Sequence, residues 1–300
     1  MYRPIREILR GEPVTEGAGV RLRRIFGYYE APMFDPFLLL DDFRSDRPED
    51  FVAGFPWHPH RGIETITYVL RGDVEHGDSL GNTGVISSGD VQWMTAGSGI
   101  VHQEMPKGDA KGAMHGFQLW ANLPAAQKMM DPRYRGVTAA EIPEAHLTDG
   151  VRVKVIAGTV QDVRPGVGQV RGPVQDVVIS PEYLDVQVPA GVTFEHATVR
   201  GHTVFVYVIG GSGVVATEEG GPEAAAVSDK TLVLFDDGDA VSLRAENEAL
   251  RFLLVSGAPL NEPVAWRGPI VMNTDEELRL AFDEFRHGGF VKVGKGREKA

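Results

Sequence analysis

The chain contains no cysteine. That absence excludes disulfides, thiolate zinc sites and cysteine nucleophiles, so any redox function has to run through a bound metal. Long apolar runs are missing too. No stretch approaches the roughly twenty apolar residues of a membrane-spanning helix, and the amino terminus Met1-Tyr-Arg-Pro-Ile-Arg-Glu7 lacks the apolar core of a secretory signal. No membrane association is expected, and the expected location is the cytoplasm, or the nucleus if the source is eukaryotic. Positive charge is also scarce: 30 Lys and Arg face 42 Asp and Glu, a net charge of −12. The summed field repels a phosphate backbone, which argues against direct nucleic-acid binding without a strong local basic patch. The two short basic stretches, Arg21-Leu-Arg-Arg24 and the tail Lys292 to Lys299, read as solvated ends.

What the chain has in quantity is turn residues. Its 36 glycines and 19 prolines are spread along the sequence and punctuate short runs rich in Val, Ile, Thr, Phe and Tyr, the pattern of an all-β barrel or sandwich. Thr65 to Leu70, Val151 to Ile156 and Thr203 to Ile209 are each of strand length and each end at a turn signal. Leu70-Arg-Gly-Asp-Val74 is echoed by Ile209-Gly-Gly-Ser-Gly-Val214, and Ser87-Ser-Gly-Asp-Val91 by Phe235-Asp-Asp-Gly-Asp-Ala240. Two similar β-barrels in tandem explain both the length of 300 residues and the echo. The expected division is a first barrel over 1–135, a linker over 136–150, a second barrel over 151–272, and a helix and tail over 273–300. The helix is announced by Thr274 and Glu277 as a capping box, by Leu278, Phe282 and Phe285 on one face, and by Gly288-Gly289 as a stop. A shorter helical piece is expected around Ala125 to Met130.

Four potential metal donors stand in two pairs, His58-x-His60 and His102-x-Glu104. On extended backbone, residues i and i+2 leave the same face, so two such pairs on neighbouring strands aim four donors at one point. Three imidazoles and a carboxylate suit iron, manganese, nickel, cobalt, copper or zinc without choosing among them. Trp93 and Met94 are bulky enough to wall a pocket beside them. In the second half His196 and His202 lack such pairing, so that barrel is expected to be metal-free, while His76 and His146 are assigned to loops.

The stretch from Gly54 through Glu104 closely resembles the pirin family of the cupin superfamily. The resemblance rests on His58-Pro-His-Arg-Gly-Ile-Glu-Thr65 and Asp90-Val-Gln-Trp-Met-Thr-Ala-Gly-Ser-Gly-Ile-Val-His-Gln-Glu-Met-Pro106, and continues in His115-Gly-Phe-Gln-Leu-Trp-Ala-Asn-Leu-Pro124 and Gly268-Pro-Ile-Val-Met-Asn-Thr274. It implies tandem cupin barrels with a single metal in the amino-terminal one, most often iron as Fe(II)/Fe(III), held by His58, His60, His102 and Glu104. Glu64 competes with Glu104 for the carboxylate role, since it stands at about the spacing of the general cupin motif; the pirin pattern favours Glu104, leaving Glu64 either to bond a ligand imidazole or to sit in a surface ion pair. Arg61 carries the same ambiguity, and His115 is either a buried structural histidine or a substrate contact.

The resemblance further implies a dioxygenase that opens flavonols such as quercetin with O₂ and releases carbon monoxide, with a small planar aromatic as substrate; a mechanism consistent with these residues has Glu104 as catalytic base. The alternative it implies is a redox-sensitive regulatory protein whose partner is a transcription factor or a metabolic enzyme.

Overall fold

Runs dominated by β-branched residues favour extended backbone, and a glycine at their end lets the chain reverse. In the computed structural model, which describes residues 1–216 and 224–292, Thr65 to Leu70 lies within the strand Ile63–Arg71, which turns at Gly72 (φ 91°) into Val74–Asp78. Thr203 to Ile209 likewise lies in Thr203–Gly210, which turns at Gly211 (φ 75°) into Ser212–Ala216. Both hairpins stand where the echoed sequence motifs place them.

The chain forms two all-β units. The first, residues 12–33, 37–139 and 260–300, has a seven-stranded sheet in the order Arg133–Val137, Val91–Thr95, Ile63–Arg71, His115–Asn122, Phe37–Asp42, Val20–Phe26, Glu12–Glu16. Its four-stranded sheet runs Phe55–His60, Ile100–Pro106, Val74–Asp78, Thr83–Ile86. The second unit, residues 1–11, 34–36 and 140–259, repeats the plan. Its seven strands run Ile5–Leu9, Leu232–Phe235, Thr203–Gly210, Leu250–Gly257, Glu182–Val188, Arg152–Ala157, Glu144–His146, and its four run Thr193–Ala197, Ala240–Ala245, Ser212–Ala216, Ala224–Ser228. Matching sheet sizes in matching order are what an internal duplication produces.

The units change at residue 140, inside the expected linker, but the termini do not follow the expected division. Ile5–Leu9 pairs with Leu232–Phe235 in the second unit, and residues 260–300 belong to the first. The physical reason is edge protection: a terminal strand covers the open hydrogen-bonding edge of Leu232–Phe235, which local composition does not reveal.

The helix Asp275–His287 carries the expected capping box, with Thr274 accepting from the Glu277 backbone and Glu277 reaching back, and it ends at Gly288 in the left-handed region. It buries Leu278 and Ala281, whereas Phe285 is half exposed and turns its ring toward Phe290. Ala125 to Met130 holds only a 3₁₀ turn, Ala125–Gln127. Of the basic tail, only Lys292 lies within the described residues, where it pairs with Glu284 at 2.6 Å. No helix among the described residues is long and apolar enough to cross a membrane.

Candidate metal centre

The strand Ile100–Pro106 sets His102 opposite His58 on one neighbour and Asp78 on the other, and sets Glu104 opposite Phe55 and His76. This pairing brings His58, His60 and His102 together, with one ring nitrogen from each lying within 4.8 Å of the others. Glu104 is buried two residues along from His102 and belongs to the same cavity, but its carboxylate lies outside that three-nitrogen group. Just past the paired histidines, Gly62 (φ 78°) brings backbone against backbone, since a Cβ there would sit 1.9 Å from the Val271 carbonyl oxygen.

The protonation pattern of the imidazoles follows from their partners. His58 Nδ1 lies 2.9 Å from the Pro56 carbonyl and His60 Nδ1 lies 3.1 Å from the Pro269 carbonyl. A carbonyl only accepts, so both Nδ1 atoms carry the proton and both Nε2 atoms present lone pairs. Those two Nε2 atoms face each other at 3.0 Å. They hydrogen-bond only if one ring becomes an imidazolium, which burial opposes: desolvation lowers the pKa of His58 and takes His60 and His102 well below the ordinary histidine range. His102 Nε2 is buried with no hydrogen-bond partner. Two convergent lone pairs that no proton satisfies, with a third buried and unpartnered ring nitrogen beside them, are a donor set suited to a divalent transition ion.

Glu104 has the opposite perturbation. Burial pushes its carboxyl up to about 7, against a hydrogen bond from Thr67 that lowers it. Thr67 Oγ1 lies 2.9 Å from Glu104 Oε1 and 2.7 Å from Gln118 Oε1. Beside them is a cavity of about 580 Å³, lined by His58, His60, Glu104, Thr67 and Gln118 and walled by Leu22, Leu39, Phe43, Phe55, Trp120 and Trp266.

Several of the expected pocket residues lie elsewhere. Pleat parity sends Thr67 inward and Glu64 to the other face of the sheet, where Glu64 accepts from Thr95 Oγ1 at 2.6 Å and Trp93 Nε1 at 3.1 Å. Glu64 therefore neither bonds a ligand imidazole nor sits in a surface ion pair. Trp93 is occupied with that bond, and Met94 packs with Ala31, Leu38 and Ile63, so neither walls the cavity. Arg61 points to the carboxyl-terminal segment, where it meets the Phe290 carbonyl at 2.9 Å, Glu284 at 2.7 Å and the Phe290 ring. His115 lies against Phe117 and 4.0 Å from Asp42, outside the cavity lining.

Two other residues stand where the sequence did not place them. His76 is buried in the strand Val74–Asp78 rather than in a loop, stacked on Tyr134 with Nε2 2.6 Å from the hydroxyl. Arg24, expected as part of a solvated stretch, faces the cavity: alternation turns Leu22 and Arg24 inward while Arg21 stays exposed. Its guanidinium grips Asp41 through two bonds of 2.9 and 2.8 Å and Glu16 through one of 2.8 Å. In the second unit, His196 bonds Glu182 at 3.1 Å, and among the described residues the only three-donor group is that of His58, His60 and His102.

Two family models match the chain: Pirin over residues 19–121 and the Pirin C-terminal cupin domain over residues 183–291. A pirin-like protein of Caulobacter vibrioides is 44% identical, with 96% of this chain and 99% of that protein covered. Human Pirin is 37% identical, with 95% and 93% covered. The crystal structure of quercetin 2,3-dioxygenase from Acinetobacter baumannii superposes with a TM-score of 0.83 at 32% identity, covering 97% of this chain and 100% of that one.

Proposed function

This chain belongs to the pirin family, and from its candidate metal centre we propose a metal-dependent dioxygenase that opens a hydroxylated planar aromatic of the flavonol type with O₂ and releases carbon monoxide. The observation that carries this proposal is the pair of unprotonated Nε2 atoms facing each other at 3.0 Å on the wall of a largely apolar cavity. The name of the Acinetobacter baumannii structure supports the same chemistry.

His58, His60 and His102 would hold the ion, with Glu104 as the fourth donor; the donor set admits iron, manganese, nickel, cobalt, copper or zinc, and the resemblance to the pirin family puts iron first. When bound, the ion supplies Lewis acidity that lowers the pKa of a hydroxyl beside it. The remaining work falls to side chains. Glu104, buried beside the histidines and bonded by Thr67, takes the proton of the flavonol 3-hydroxyl as general base. Thr67 has one hydroxyl hydrogen but two acceptor oxygens within 2.9 Å. Donated to Glu104 Oε1, that hydrogen favours the carboxylate, the form in which Glu104 acts as base. Leu22, Leu39, Phe43, Phe55, Trp120 and Trp266 exclude water and give a flat aromatic its contact area.

The alternative of a redox-sensitive regulator binding a protein partner is less favoured by a deep apolar cavity that ends on the histidines. Aerobic quercetin consumption measured together with carbon monoxide release, on protein loaded with ferrous iron, tests the proposal. Stoichiometric carbon monoxide, absent in His60→Ala, is the expected result. No turnover with iron, manganese, nickel or copper would favour the regulator.

A further inference from the structure

Cross-strand register places four polar side chains in one line along the cavity. Thr67 pairs with Gln118, Gln118 with Asp41, and Asp41 with Arg24, and all four line the cavity. The line starts at Glu104, which Thr67 touches, and ends at Glu16, which Arg24 touches. Three strand spacings of roughly 4.8 Å make the row about 14 Å long, a span suited to three aromatic rings laid end to end. The fold does not require polarity here. The corresponding row of the second unit is Val206, Leu254, Leu184 and Val155, all in its apolar core.

The far end of the row is rich in acceptors. Arg24 contributes one positive charge, while Asp41 and Glu16 contribute two negative ones. Each Asp41 oxygen accepts one bond from Arg24 and keeps a second lone pair. Such a group repels an anionic ligand and welcomes hydroxyl donors.

Building on the dioxygenase assignment, we propose that Asp41 and Glu16, set in place by Arg24, form a specificity subsite for phenolic hydroxyl groups on the substrate ring farthest from the histidines. The ligand class is a neutral polyphenol of flavonol length, lying along the row with its ring hydroxyls toward the carboxylates. Arg24 is a positioning residue, and Asp41 and Glu16 contact the ligand.

The test is anaerobic binding to ferrous-loaded protein, read by quenching of Trp120 and Trp266 fluorescence, for three flavonols alike at the 3-hydroxyl but carrying two, one or no outer-ring hydroxyls: quercetin, kaempferol and galangin. The wild type is expected to bind quercetin about tenfold or more tighter than galangin, as hydrogen bonds to charged acceptors imply. The paired substitution Arg24→Met with Asp41→Leu leaves no lone buried charge and should bring that ratio close to one while metal content is kept. Glu16→Gln, at a half-exposed position, should lower the ratio partway and decides the matter if the paired variant does not fold. An undiminished ratio in the folded paired variant, or in Glu16→Gln where that variant fails to fold, overturns the proposal, as does a flat ratio in the wild type or no binding of any of the three. Since no turnover is read, a preserved ratio without carbon monoxide release would sink the dioxygenase and leave the subsite, and carbon monoxide release with a flat ratio would do the reverse.

Discussion

The two units share one sheet plan and differ in what fills it. In the second unit the row Val233, Val206, Leu254, Leu184, Val155 runs across the seven-stranded sheet, every member buried in one apolar cluster. At the corresponding strands of the first unit stand Gln92, Thr67, Gln118, Asp41 and Arg24. The match reaches the hairpin, since Thr67 and Val206 each precede a tyrosine, Tyr68 or Tyr207, and each stands the same distance before the turn glycine, Gly72 or Gly211. Filling a barrel with Val and Leu gives close packing and stability. Lining it with polar groups gives up packing for a cavity and a row of hydrogen-bonding positions, and this is the unit that holds the three histidines.

That contrast can be broken from either side. The largest effect is expected at the base. Glu104→Gln should keep most of its metal, held by three imidazoles, while turnover falls by about a hundredfold or more; near-normal rates would remove Glu104 from that role. Next, Thr67→Val gives the first unit the residue of the second and takes away the hydroxyl bridging Glu104 and Gln118. Turnover should fall by about tenfold with metal content unchanged by elemental analysis. The reverse exchange, Val206→Thr, puts a hydroxyl into a fully apolar core and should cost about 1–2 kcal/mol in urea unfolding, with no effect on the site.

The smallest effect concerns pH. Burial raises the Asp41 pKa to about 6, despite the bonds from Arg24 that lower it. A carboxyl that binds its proton more tightly when folded adds stability below the ordinary aspartate pKa and loses it as pH rises through 6. The stability of wild type relative to Arg24→Met with Asp41→Leu should therefore decline between about pH 4 and pH 6 and stay level above. A relative stability that rose over that window would contradict the assignment.

Much of this was legible in the residues. Glycine-ended β-branched runs located the hairpins, Thr274 and Glu277 located the helix start, and the i, i+2 spacing marked out the three histidines that converge. What escaped was parity. Nothing local tells whether Glu64 or Thr65 of a strand faces the barrel interior, and a one-residue difference exchanges the faces. Glu64 and Trp93 were therefore expected at the pocket, while Thr67, Gln118 and Arg24 were not; Met94 shares the inner face with Thr65 but is taken up in packing with Ala31, Leu38 and Ile63. His76 was assigned to a loop, and only the pairing of Val74–Asp78 with the His102 strand brings it opposite Glu104. The exchange of terminal segments between units was equally invisible, because it depends on which sheet edges need covering.

The most direct test of the contrast between the units is metal stoichiometry by elemental analysis after aerobic purification and after ferrous loading, in the wild type and in His58→Ala, His60→Ala and His102→Ala. One ion per chain in the wild type, lost in each variant while the thermal unfolding of the second unit is unchanged, is the predicted result. Two ions per chain, or an ion retained by all three variants, would show that the converging histidines are not where this protein holds its metal.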